Sequence, residues 1–227
     1  MPSATIMRNP CTEDDFKEQR HALVAAQVAG RGIRSPLVLD AMRKVPREAF
    51  VPEYLRDSAY QDSPLPIGCG QTISQPHVVA YMIDELGLSG GEKVLEIGAG
   101  SGYAAAVLAE IADKVYTIER IAVLAEGARA ALAELGYGNV ELRHGDGTHG
   151  WPEQAPFDAI TVAAGARHVP EALKRQLRIG GSLVIPVGRT THLQQLVRIT
   201  RLSADRFEQE DLVPVRFVPL IGDTEKA

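Results

Sequence analysis

The sequence predicts an α/β fold: a mostly parallel central sheet with helices on both faces, antiparallel strands towards the C-terminus and a helical extension at the N-terminus. Three observations predict it. Val94-Leu95-Glu96-Ile97 runs into Gly98, Gly100 and Gly102 and then into an alanine-rich stretch, the pattern of a buried strand, a tight turn and a helix. Strand-like and helix-like segments alternate from residue 94 to residue 187, which argues for parallel strands joined by helical crossovers. After Gly188 the crossovers stop. Leu193 to Arg201 and Leu212 to Val218 then read as two strands in antiparallel pairing.

The elements follow in order. Residues 1–15 read as a flexible tail before a single domain, 16–227, in three parts: helices and a loop at 16–90, a core at 91–190 and C-terminal strands at 191–227. Thr12-Glu13-Asp14-Asp15 forms a plausible capping box for a helix running through Phe16, Leu23 and Val24 to about Val28. Gly30 and Gly32 stop it. Ser35-Pro36 caps a second helix over Leu37 to Val45, which Pro46 ends. Residues 47–73, rich in proline and glycine, read as a long structured loop, and loops of that length are often functional. Pro76 opens a helix through Leu86, with Ser74 or Gln75 as its cap. Beyond the glycine turn come helix 103–111, strand 115–119, helix 121–135, strand 140–143, strand 157–163, helix 169–177 and strand 182–187.

Composition narrows the function. The chain has 227 residues, of which 45% are hydrophobic and 23% charged, ordinary for a soluble globular domain. A formal net charge of -5 argues against a general nucleic-acid binder. No apolar run approaches the roughly 18 residues of a membrane helix, and the polar N-terminus lacks a signal-peptide core. Cys11 and Cys69 are far apart and read as free thiols of a reducing cytoplasm. The histidines form no ligand-spaced cluster, so no metal is expected.

The glycines carry the first functional signal. Gly98-x-Gly100-x-Gly102 lets the backbone approach a ligand closely, and the following helix points its first amides at the same place. Glu119 ends the next strand. An acid about 20 residues beyond such a turn accepts hydrogen bonds from ribose hydroxyls in dinucleotide-binding folds. Tyr103 stands where a dinucleotide-binding turn has its third glycine, and no tyrosine has a lysine four residues on, which argues against a dehydrogenase. The Glu96-x-Gly-x-Gly-x-Gly form instead resembles the nucleoside motif of S-adenosylmethionine (AdoMet)-dependent methyltransferases, whose Rossmann-like fold it implies.

The chain resembles protein-L-isoaspartate O-methyltransferases from about residue 20 to residue 220. Gly70-Gln71-Thr72-Ile73-Ser74-Gln75-Pro76 is the most specific stretch. Met42 to Pro52, Pro64-Leu65-Pro66-Ile67-Gly68, Val115 to Arg120, Gly145-Asp146-Gly147, Gly150-Trp151, Ala155 to Asp158 and Val215 to Leu220 accompany it. Ala99 stands where many members have threonine.

The resemblance implies methyl transfer from AdoMet to the free α-carboxylate of L-isoaspartyl residues, leaving S-adenosyl-L-homocysteine and starting repair through a succinimide. Partners would be isoaspartyl peptides and proteins, with no nucleic acid or membrane involved, met by a monomer. Ser74 would hold the acceptor carboxylate, its alternative role being a helix cap. Thr72 and Ile73 would line the same pocket, with Thr72 equally a turn residue. Gly98, Gly100 and Ser101 would border the cofactor. Glu96 would meet its ammonium or orient the turn, unless it is a solvated strand residue. Glu119 and Arg120 would flank the ribose. Asp146, with Gly147 beside it, would take the adenine amino group, or serve as a turn aspartate. Val218 and Pro219 would border the substrate or pack as an edge strand. Arg167 and His168 sit at a predicted strand end, where a substrate contact is open. A methyltransferase with a different acceptor would share the nucleoside half of this set and not need the 71–76 stretch.

Overall fold

The computed structural model describes residues 11–190 and 193–222. Most of the tail expected at the N-terminus lies outside the described residues. The capping box is present: Asp15 donates its amide to Thr12 Oγ1 at 3.2 Å, and Thr12 donates its own to Asp15 Oδ2 at 2.8 Å. Helix α1 (Glu13–Leu23) therefore begins inside the stretch read as tail, and it continues through a widened π turn, Val24–Val28. Helix α2 (Pro36–Lys44) starts on Ser35, whose Oγ accepts the Val38 amide.

Residues 47–73 are more ordered than a loop. Two 3₁₀ turns lead into a hairpin of β1 (Leu65–Gly68) and β2 (Gln71–Ile73). Its turn, Gly68-Cys69-Gly70, holds all three residues at positive φ, 92°, 52° and 70°. Strands this short, interrupted by prolines, show no alternation to read. Arg47 is fully buried here, its guanidinium 4.9 Å from the Tyr103 ring centroid. Helix α3 (Pro76–Asp84) follows, and its N-cap Gln75 makes no side-chain capping bond.

The core sheet comprises β3 (Lys93–Ile97), β4 (Lys114–Glu119), β5 (Val140–His144), β6 (Phe157–Val162), β7 (Leu177–Thr190), β8 (Leu193–Arg201) and β9 (Phe207–Val215), in the order β5-β4-β3-β6-β7-β8-β9. Strands β3 to β7 are parallel, and β8 and β9 add antiparallel. The crossovers carry α4 (Tyr103–Ala109), α5 (Ala122–Glu134) and the short α6 (Glu171–Arg175). The two faces bury separate apolar clusters, one around Val94, Val107 and Leu108, the other around Leu95, Ile160 and Leu183. That division follows from β3, whose successive side chains point to opposite faces.

Three expected elements change bounds, the strand read at 182–187 lengthening to β7, Leu177–Thr190. Helix 169–177 shrinks to α6, because Pro170 is its N-cap and Leu177 already enters β7. Strand 212–218 becomes β9, which begins at Phe207 and ends at Val215. Its first half, Glu208 to Asp211, is exposed on the sheet edge and so carries charges rather than an apolar pattern. No helix among the described residues is long and apolar enough to cross a membrane.

Candidate active site

Strand order reverses between β3 and β6, and ligands of open α/β sheets bind beyond the carboxyl ends at such a point. A cleft opens there, lined by the glycine turn, the end of β4, the β2 segment and the chain after β6 and β9. The turn is fixed from below: Gly98 and Ala99 donate their amides to the Ile118 carbonyl at 2.8 and 3.2 Å, and Ala163 donates to the Ile97 carbonyl at 2.8 Å. Gly98, Gly100 and Gly102 have φ of 92°, 55° and 90°. A side chain at any of them would be strained. A Cβ on Gly102 would also press to 3.3 Å on Ala128 and Leu132, and one on Gly100 to 3.3 Å on Ile67 of the hairpin.

Two buried acids face this cleft. Glu119, 6% exposed, accepts the Gly100 amide on Oε2 at 2.8 Å and the Ile121 amide on Oε1 at 2.9 Å. Its carboxylate thus ties the glycine turn to the start of α5. Glu96 is 1% exposed, so it is not a solvated strand residue. Its Oε2 accepts from Thr117 Oγ1 at 2.6 Å, its cross-strand neighbour on β4, while Oε1 has no hydrogen-bond partner. Burial pushes the Glu96 carboxyl up to about 7; the Thr117 bond opposes the shift and the nearby Glu119 charge adds to it.

Of the residues expected at the site, Thr72, Ile73, Ser74, Glu96, Gly98, Gly100, Ser101, Glu119, Arg120, Gly147, Val218 and Pro219 all line the cleft. Asp146 does not line it, although the next residue, Gly147, does. Its Oδ1 accepts from the Thr148 amide at 2.8 Å and Oγ1 at 2.7 Å, so it caps the 3₁₀ turn that presents Gly147. Gly147 packs so closely under the cleft that a Cβ would come 2.3 Å from Ile97 Cγ2. The Arg120 carbonyl lies 3.1 Å from His144 Nε2. Arg167 and His168 are exposed and line neither this cleft nor its neighbour. Trp151 packs in the core, edge-on to Tyr116 with ring centroids 5.3 Å apart.

The neighbour is a groove that meets the cleft at Thr72, Ser74, Ala163, Val218 and Pro219 and runs outward past Gln75, Val78, Leu193 and the segment Pro214 to Phe217. Ser74 stands at the seam. It is not the helix cap, and among the described residues its hydroxyl has no hydrogen-bond partner. The far wall is held by a residue that sequence reasoning missed. Gln194, 3% exposed, donates from Nε2 to the Phe217 carbonyl at 3.1 Å and accepts the Phe217 amide on Oε1 at 2.7 Å. Gly165 then exchanges backbone bonds with Val218 and Leu220, both at 2.8 Å. A Cβ on Gly165 would lie 2.0 Å from Gln194 Nε2, which is why glycine is needed there. Nothing local to Gln194 signals this role; its partner is 23 residues away.

The donor set suits AdoMet, a ligand with a cationic amino-acid end and a ribose. Buried Glu96 has a carboxyl oxygen with no hydrogen-bond partner that can accept from an ammonium, Glu119 can accept from hydroxyls, and the glycines leave the turn open.

Comparison with known proteins agrees. Residues 18–225 match the sequence model of Protein-L-isoaspartate(D-aspartate) O-methyltransferase (PCMT). The chain is 63% identical to Protein-L-isoaspartate O-methyltransferase 1 of Rhodopseudomonas palustris (strain HaA2), covering 97% of this chain and 91% of that protein. It is 58% identical to Protein-L-isoaspartate O-methyltransferase 2 of Pelobacter propionicus, covering 90% and 91%. Among solved structures, one protein-L-isoaspartate O-methyltransferase superposes with TM-score 0.82 at 29% identity, covering 91% of this chain and 66% of that one. A Plasmodium falciparum chain assigned as PCMT, in complex with S-adenosyl-L-homocysteine, superposes with TM-score 0.77 at 27% identity, covering 89% and 98%. The match in sequence runs through the cleft, the seam and the groove alike, and the chain belongs to the protein-L-isoaspartate(D-aspartate) O-methyltransferase family.

Proposed function

We propose that this chain transfers a methyl group from AdoMet to the free α-carboxylate of L-isoaspartyl residues in peptides and proteins, leaving S-adenosyl-L-homocysteine. The observation that carries the proposal is Ser74, an unpartnered hydroxyl at the seam between an acid-lined cleft and an open groove. When bound, AdoMet supplies a methyl group activated by a positively charged sulfur. Glu96 Oε1 would pair with the ligand's ammonium, Glu119 with its ribose, and Asp146 and the Gly147 backbone with its adenine. Gly98, Gly100, Ser101 and Arg120 complete the walls.

The acceptor carboxylate has an ordinary pKa near 4 and arrives ionised, so no general base is required. Ser74 Oγ would donate to one of its oxygens and leave the other free to take the methyl group that AdoMet would supply, an exchange of S–CH₃ for O–CH₃ that would give a neutral ester and a neutral thioether and need no proton from the chain. Thr72, Ile73, Val218 and Pro219 confine the acceptor. In well-oriented reactions placement alone contributes about 7–11 kcal/mol. The methyl ester, a better leaving group than the acid, then closes to a succinimide off the enzyme, and hydrolysis returns some normal aspartate. One chain lines both cleft and groove, so a monomer suffices for this work. Two free cysteines, Cys69 exposed, suit the reducing cytoplasm as its place of action.

The test is methyl transfer from labelled AdoMet to matched peptides, one with L-isoaspartate and one with L-aspartate. Base-labile label on the isoaspartyl peptide alone is expected. AdoMet binding with neither peptide labelled would leave the cofactor reading and overturn the acceptor. Ser74→Ala removes one hydrogen bond to a charged group and is expected to lower kcat/KM for the peptide by about 10- to 100-fold. AdoMet affinity measured by calorimetry should stay within about twofold, because the loss falls on the acceptor.

A further inference from the structure

The groove that leads out from Ser74 has an uneven chemistry. Its walls are mostly apolar: Val78, Leu193, Pro214, Val215 and Phe217 line it. Among its lining residues only Arg216 bears a charge. Arg216 is exposed, and among the described residues its guanidinium has no hydrogen bond and no ion pair. Among the described residues several other arginines are held in ion pairs: Arg31 with Asp62, Arg143 with Glu153, Arg178 with Asp158, Arg198 with Glu85 and Glu210.

The backbone beside Arg216 is anchored. Phe217 is clamped on both its amide and its carbonyl by buried Gln194, and Val218 is bonded to Gly165. The guanidinium therefore projects from a fixed platform two residues before Val218, which borders the acceptor site. Two residues of chain span at most about 7 Å, so an extended peptide whose reacting residue lies at Ser74 passes Arg216 within its next few residues.

We propose that Arg216 makes this enzyme select acceptor sites flanked by a carboxylate, an Asp or Glu one to three residues from the isoaspartyl residue. The inference rests on the reading of the groove as the acceptor channel. The physical basis is charge complementarity in a groove with no competing acid among its lining residues. A guanidinium and a carboxylate form a paired, charge-assisted hydrogen bond, stronger where apolar walls limit water. The contact has to act against the protein's net charge of -5, which repels an acidic peptide at long range. Preference is therefore expected to be short-ranged and confined to the positions that reach Arg216.

The test uses the full chain and a set of isoaspartyl peptides identical except for one flanking residue, Glu, Ala or Lys, moved from three positions before to three after the isoaspartate. The expected result is a kcat/KM about three- to tenfold higher for Glu than for Lys at one or two of those positions, shrinking as salt is raised. Arg216→Gln should bring the Glu-to-Lys ratio at those positions to near one, Arg216→Lys should keep most of it, and Arg216→Glu should invert it. Binding of the same peptides in the presence of S-adenosyl-L-homocysteine should follow the same order. A ratio near one in the unaltered protein, or one that survives Arg216→Gln, would overturn the inference and leave the acceptor reading standing. Failure to methylate any isoaspartyl peptide would overturn both.

Discussion

Glu119→Ala should weaken binding of S-adenosyl-L-homocysteine by at least about 100-fold, read by calorimetry, and lower Tm as well. The expectation follows from what one carboxylate does. Its two oxygens hold the Gly100 and Ile121 amides, each a hydrogen bond to a charged group, worth about 1.5–3 kcal/mol. Alanine leaves both amides unpaired beside a turn already held at positive φ. It also removes the acceptor proposed for the ribose. Glu119→Gln keeps one oxygen and should fall between the two. A Glu119→Ala protein that binds the ligand normally would show that the carboxylate is a turn brace and nothing more.

Glu96 should impose a pH dependence on cofactor binding. Burial holds its carboxyl near 7 rather than its ordinary 4.5. Below about pH 7 the group is neutral and attracts an ammonium weakly; above it the charged form does so strongly. Affinity is therefore expected to rise with pH through about 7, up to the range where the ligand's own ammonium loses its proton. Binding near pH 7 should release a proton, visible as a calorimetric enthalpy that changes with the buffer's ionisation enthalpy.

The same shift predicts the stability of the ligand-free fold. The folded pKa lies above the unfolded one, so between about 4.5 and 7 the folded state holds more protons than the unfolded state. Glu96 thus costs the fold increasingly as pH rises through that window, reaching on the order of 3 kcal/mol above it. Glu96→Gln should melt higher than the parent at pH 8 and about equally at pH 4. It should lose the pH dependence of binding and bind the cofactor roughly 10- to 100-fold more weakly. Equal melting at pH 8 with unchanged binding would contradict the assignment.

Much of the cofactor half of this site can be read along the chain. Strand β3, three glycines at alternate positions and an acid ending the next strand are local signals, and each has a local cause: burial, positive φ, a strand end. The hairpin β1–β2 was not legible, because strands of four and three residues around Gly68-Cys69-Gly70 carry no periodicity. Strand β9 was half legible, because its edge half is charged. The burial of Glu96 is legible in part: the strand reads as buried and the acid as facing the ligand or the turn, and the sheet register that sets it opposite Thr117 removes the alternative of a solvated position. The Gln194 clamp on Phe217 depends on strand β8 meeting the chain after β9, a tertiary event with no sequence signature.

The most direct test of the joined cleft and groove is a crystal structure with S-adenosyl-L-homocysteine and an isoaspartyl peptide bound together. The expected complex has the ligand's ribose on Glu119, its ammonium on Glu96 and the isoaspartyl α-carboxylate within hydrogen-bond distance of Ser74 Oγ, with the peptide leaving along Pro214 to Phe217. A peptide carboxylate held away from Ser74, or a peptide leaving by another face, would contradict it.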